Sequence, residues 1–289
     1  MTMFIEQVMS GVGIGSIYAL VAVGFVLIYK ATEVVNFATG DIMMLGPFIL
    51  YTLFVILKFP LYFAIIISLL CLAAFGAAID RFILRRLLGE PMMAVILATL
   101  AVGIIVRSIA GIVWGFDVLP MSGFIPDYAV NVGGIVVSSV YLLAMFVLFL
   151  LVTVLYLFFQ YTKIGIAMQA TAQNQFSSYL MGISVGRVFS LVWAIAGVAC
   201  CIAGMLLVPI AGLDVNMTNI GLNAFPAAIL GGMTSLPGAI MGGIVIGITQ
   251  SLSGYYAPIV KDSIAFAIII FVLLIKPEGI FGKAEKKKV

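Results

Sequence analysis

Residues Gly165-Ile166-Ala167-Met168-Gln169-Ala170-Thr171-Ala172-Gln173-Asn174-Gln175-Phe176-Ser177-Ser178-Tyr179-Leu180-Met181-Gly182-Ile183 form a small, polar, helix-compatible stretch between two long apolar runs, 135–159 and 188–212. The contrast sets the frame for the whole chain. Where nearly everything else is oil-soluble, an ordered polar segment on the basic side of a membrane reads as a docking surface for a soluble partner.

Composition fixes the class. Hydrophobic residues make up 64% of the 289-residue chain and charged residues 9%, with a mean hydropathy of +1.31; a water-soluble domain is about one quarter charged. The chain is expected to be an all-α polytopic membrane protein, one transmembrane domain over 1–289, without room for a soluble one. Residues 1–7 lack the basic region of a cleavable signal, so the first span is expected to stay. Cys71, Cys200 and Cys201 lie inside apolar runs and read as small hydrophobes rather than a disulfide framework. Histidine is absent, which removes the commonest metal ligand and general base.

Apolar spans are expected near 8–29, 42–57, 61–79, 92–113, 135–159, 188–212, a short one near 222–233, then 237–254 and 262–276. Lys58-Phe59-Pro60 reads as a tight turn, and Pro120 and Pro126 as breakers in a loop over 115–134. Placing 30–41, 80–91, 160–187 and the C-terminus in the cytoplasm puts eleven of the fourteen Lys and Arg there; Lys58 and Lys261 fall outside and Arg107 within a span. That bias sets the N-terminus outside and the C-terminus inside, hence an odd number of crossings. Nine spans satisfy it if the short segment counts.

The short segment, Leu222 to Gly232, is about half a bilayer long at ~1.5 Å per residue and stops at a glycine pair before Thr234-Ser235-Leu236-Pro237-Gly238. Irregular backbone at depth is tolerated only against protein or a water-filled cavity. A break inside the bundle, beside a pathway, is therefore expected; a kinked helix continuing through Pro226 is the alternative.

Four blocks resemble the permeases of bacterial branched-chain amino acid ABC importers of the high-affinity Liv type: Gly13 to Leu20; Val35 to Asp41 with Gly46; 165–183 with Arg187; and Leu230 to Ala239 with Gly242, Gly243 and Gly247. They occur in the family's order and spacing. The resemblance implies a type II-like permease in the bacterial inner membrane. It would pair with a second, homologous permease, two ATP-binding cassette subunits that hold ATP and Mg, and a periplasmic binding protein. No cofactor is expected in this chain, and nothing points to nucleic acid. The family carries charges where this chain has Ile166, Gln169, Gln173 and Asn174, and commonly histidine at Thr39. Docking is then expected to rest on the shape of a short helix, Ala167 to Phe176, seated in a groove of the ATPase.

Two sets of candidate residues follow. Gly165, Ala167, Met168, Ala170, Thr171, Ala172, Phe176 and Gly182 are candidates for coupling to the ATPase, and Asn36, Thr39, Asp41, Phe225, Gly231, Gly232 and Ser235 for the translocation pathway. Asn36, Thr39 and Asp41 are expected at the inner end of the second span, where Asp41 is either an interfacial carboxylate or part of the exit for a zwitterion. Arg107, the one charge well inside a span, is a functional candidate by default, and is expected to snorkel to the outer interface or to make a structural pair. Gly11, Gly13, Gly15, Ser16, Gly243 and Gly247 read as close helix packing, and Trp114 and Trp193 as anchors or packing. The tail Lys283 to Lys288 reads as an anchor on anionic lipid.

No phosphate-binding Gly-x-x-x-x-Gly-Lys-Ser/Thr loop, nucleophile–histidine pair or carboxylate cluster is present, so the chain is not expected to be an enzyme. An ion-coupled secondary transporter or channel is the competing class; it needs coupling-ion ligands at the midplane, and the acids here cluster at span ends. A structural assembly subunit is a third. Within the importer class the substrate is leucine, isoleucine, valine or a related amino acid, or else urea, a short amide or an aromatic acid.

Overall fold

The computed structural model describes residues 2–282 apart from 88, 122, 133 and 262; the basic tail over 283–288 lies outside the described residues. The long helices are α1 (Thr2–Thr32), α2 (Thr39–Tyr51, continued by a π-turn, Thr52–Ile56), α3 (Leu61–Phe82), α4 (Met92–Trp114) and α5 (Ser139–Tyr161), followed by the short α6 (Lys163–Gln173) and α7 (Gln175–Leu180). Then come α8 (Val185–Ala211), the short α9 (Met217–Leu222) and α10 (Ala224–Gly231), α11 (Leu236–Tyr256) and α12 (Ile264–Ile275). Among the described residues seven helices, α1 to α5, α8 and α11, are long and apolar enough to cross a membrane. The chain is an all-α polytopic membrane protein. The other two expected crossings correspond to the twelve-residue α12 and to α9 with α10, each shorter than a bilayer needs at ~1.5 Å per residue.

Proline and glycine punctuate these helices as their chemistry dictates. α3 and α4 start directly after Pro60 and Pro91, and α4 and α8 stop at Gly115 and Gly212, both at positive φ. The Lys58 turn is real, with φ 54°. One element differs from expectation: residues 135–138 are not the start of a span but the strand β2 (Ile135–Ser138), paired antiparallel with β1 (Ala129–Val132). β-branched residues on both strands, with Gly134 at φ 90° before the second, make a hairpin, and α5 begins only where Ser138 caps it by accepting the Val140 N–H at 3.2 Å.

α1 is the axis of the bundle and packs most extensively on α11 and α8. A Cβ at Gly15 would lie 2.8 Å from Ile244 Cα, and one at Gly11 2.6 Å from Ile248 Cα, so the glycine faces let these backbones approach as the packing reading requires. α3 seats on α8, where a Cβ at Gly197 would lie 2.6 Å from the Leu72 carbonyl. The outward faces of α3, α4 and α5 carry Phe63, Leu70, Ile104, Ile112, Phe146 and Phe149, fully suited to lipid.

One end of the bundle gathers the C-termini of α1, α3 and α5, the start of α8, and all of α6 and α7; Lys30, Arg81, Arg85, Arg86, Lys163 and Arg187 lie there. Lys58 and Lys261 lie at the far end, with the hairpin. From the basic end, residues 33–38 turn back into the bundle before α2 begins. From the far end, residues 212–216 turn inward before α9. These two irregular segments lie inside the bundle, away from the expected break at Gly231 and Gly232, and their backbone is satisfied by nearby side chains and by Thr99 of α4. The Asn36 side chain accepts from the Ala38 N–H at 3.0 Å, the Phe37 N–H donates to Thr99 Oγ1 at 3.3 Å, and Asp214 accepts from the N–H groups of Asn216 and Met217, each at 3.1 Å.

Candidate functional site

The segment between α5 and α8 is a pair of helices rather than one. Thr162 starts α6 by accepting the Gly165 N–H at 2.9 Å, and Asn174 ends it and caps α7 by accepting the Ser177 N–H at 2.9 Å. The single helix from Ala167 to Phe176 is thus divided at Asn174, because an asparagine side chain competes for the backbone N–H of the next turn. Gly165, Met168 and Thr171 face this chain's own bundle, Met168 only 3% exposed. Ala167, Ala170 and Ala172 are half-buried. Phe176 is 71% exposed, and Tyr179, Leu180, Met181, Ile164 and Ile166 are exposed with it. Gly182, at φ 82°, ends the segment.

Sequence reasoning missed what fastens this segment to the spans. Asp80, buried on the last turn of α3, pairs with Arg85 at 3.0 Å and accepts from Ser190 Oγ at 2.6 Å. Arg85 also donates to Ser190 Oγ at 2.9 Å and to the Gly186 carbonyl. The first turn of α8, directly after α7, is therefore clamped to α3. The Asp-Arg spacing of five residues was the only signal of it in the sequence.

The second constellation lies deep in the bundle. Asp41 is not interfacial: it is 4% exposed, pairs with Arg107 Nε at 3.0 Å and accepts from Thr218 Oγ1 at 3.0 Å. α2 and α4 run side by side, Phe37 level with Thr99, Asp41 over Gly103, and Thr52 accepting from Trp114 Nε1 at 2.7 Å. Gly103 is eleven residues from either end of α4, about 16 Å at ~1.5 Å per residue. Arg107 accordingly does not snorkel outward; its side chain leans back toward the preceding turn, as helical side chains do, and makes the structural pair. Asp41 was placed too shallow because the start of α2 was equated with the membrane surface.

The remaining candidates divide between the turn before α2 and the α10–α11 junction. Thr39 Oγ1 donates to the Asn36 carbonyl at 2.6 Å, and both side chains are buried. Phe225 sits between Phe25 and Phe37, ring centroids 5.6 and 5.4 Å away. α9 and α10 are separated only at Asn223, which keeps helical angles, so up to Gly231 the kinked-helix reading is the better one; Pro226 falls in the first turn of α10, where its missing N–H costs nothing. The break at Gly231 and Gly232 exists but does not line an opening. Gly231 backs onto Gly238, and the N–H groups of Ile280 and Phe281 donate to the carbonyls of Leu230 and Gly231 at 2.9 and 3.1 Å. Ser235 is the N-cap of α11, accepting the Gly238 N–H at 3.2 Å. Between α1, α5, α6 and α11 a groove of about 310 Å³ opens at the basic end, walled by Val23, Leu27, Leu155, Met168 and Ile240. Among the described residues no group of three or more Cys, Asp or Glu could hold a metal ion.

The family model described as the permease component of branched-chain amino acid transport systems matches residues 7–273. The chain is 30% identical to the high-affinity branched-chain amino acid transport system permease protein LivH of Salmonella typhimurium, over 99% of this chain and 98% of that one. It is 28% identical to BraD of Pseudomonas aeruginosa over the same shares, and 30% identical to a probable LivH of Methanocaldococcus jannaschii over 94% of this chain and 90% of that one. No solved structure matches. A transmembrane helical bundle with a polar helix pair at its basic end, matched over nearly its full length, belongs to the family of branched-chain amino acid transport permeases.

Proposed function

We propose that the chain is one permease half of an ATP-driven importer in the bacterial inner membrane, with its N-terminus outside and its basic end in the cytoplasm. It pairs with a second, homologous permease and carries branched-chain or related amino acids delivered by a periplasmic binding protein. Two ATP-binding cassette subunits hydrolyse ATP with Mg, and this chain has no catalytic role. The observation that supports this best is the α6–α7 pair: an apolar ridge of Phe176, Tyr179 and Leu180 exposed at the basic end, on a segment whose other face is sunk into the bundle. A ridge of that kind suits helix-in-groove docking. The Asp80–Arg85–Ser190 clamp carries a push on α7 into α3 and α8, and packed, two-state elements of this sort are how one site biases another.

The ion-coupled alternative needs a free midspan carboxylate, and Asp41 is already held by Arg107 and Thr218. Affinity purification of the tagged chain from its own membranes tests the proposal. Recovery of an ATP-binding subunit and a second permease supports it; a chain that transports after purification alone contradicts it.

A further inference from the structure

We infer that Arg107 is the contact by which the bundle holds a carboxylate midway across the membrane, namely the α-carboxylate of the amino acid in transit. This deepens the importer reading and rests on it. Arg107 spends its Nε–H on Asp41 at 3.0 Å, and among the described residues Nη1 and Nη2 make no hydrogen bond. Its side chain is 41% exposed while that of Asp41 is 6% exposed. The guanidinium is thus pinned at one edge and open at the other, and the open edge is the planar pair of donors that binds carboxylates in bidentate fashion.

Depth makes this meaningful. The pair lies level with Gly103, the midpoint of α4, too far from either end for the outward reach that excuses an arginine near a helix terminus. A half-open guanidinium facing lipid tails there is costly, and the inference places a polar path at that edge. Asp41 holds the guanidinium in place without consuming those donors. The segment that delivers Asp41 also carries the buried amide of Asn36, whose Nδ2 has no acceptor among the described residues. That amide is enclosed by protein, so the ligand contact rests on the Arg107 guanidinium.

The test uses the assembled transporter with Arg107→Cys and Asp41→Asn together, in a Cys71→Ala background, so that no charge is left orphaned in the span. Losing a charge-assisted hydrogen bond to the carboxylate should lower uptake by at least about tenfold. A cationic thiol reagent attached at position 107 should restore uptake several-fold, and a neutral reagent of the same size should not. Because Asn replaces Asp41, recovery cannot come from rebuilding the ion pair. Arg107→Lys with Asp41 intact should keep part of the uptake. Uptake within twofold of wild type, or equal recovery with the neutral reagent, overturns the inference. So does loss of the second permease from the complex, which would assign the open edge to a carboxylate of that partner. Failure of the unmodified chain to recover an ATP-binding subunit contradicts the importer reading instead.

Discussion

Asp41 and Arg107, 66 residues apart in sequence, meet at 3.0 Å over Gly103 and join the start of α2 to the middle of α4. A pair whose carboxylate is buried is expensive to half-remove, since the charge of Asp41 stays behind. Arg107→Ala alone should leave the Asp41 charge uncompensated and destabilise the protein by about 3 kcal/mol, whereas Arg107→Gln with Asp41→Asn should recover most of that. Thermal unfolding of the purified chain in detergent checks it, and equal losses in the single and double variants would contradict it.

The clamp between α3 and α8 should matter for transmission more than for assembly. Arg85→Ala leaves buried Asp80 with only Ser190 Oγ, at a cost of about 1–3 kcal/mol. The assembled transporter is then expected to move less substrate per ATP hydrolysed. Uptake and phosphate release measured on the same vesicles give the ratio, and an unchanged ratio counts against the clamp.

Gly247 backs onto Gly15 and Gly11 across the α1–α11 seam. Gly247→Val should force these backbones apart, costing about 1–3 kcal/mol or more, and should appear as a lower monodisperse yield on size exclusion. A wild-type yield would mean that the seam is not packed as described.

Gly231→Leu tests the break before α11. Its side chain would run into the backbone of Gly238, so assembly should fail along with transport. Normal assembly with blocked uptake would instead restore the view that this glycine lines the path.

Class and helix boundaries were legible because hydropathy and the Pro and Gly punctuation are local. Pro60, Pro91, Gly115 and Gly212 mark the ends that the backbone adopts. Depth was not legible. That residues 33–38 fold back inside before α2 begins depends on Thr99, which lies on another helix and accepts the Phe37 N–H. The polar segment between α5 and α8 stands out by its composition, yet which of its faces looks outward depends on the bundle beneath it: Met168 reads like Phe176 in sequence and is buried. The plug of residues 279–282 against the end of α10 is likewise a long-range contact with no sequence signal.

Met168→Asp would place a charge in this chain's own core and reports on folding, so docking is tested at the exposed ridge. The decisive measurement is the ratio of ATP-binding subunit recovered with the tagged chain when Phe176→Asp and Leu180→Asp are combined. The account predicts normal membrane insertion, a normal amount of second permease, and loss of most of the ATP-binding subunit together with uptake. An unchanged subunit ratio with full uptake would contradict it.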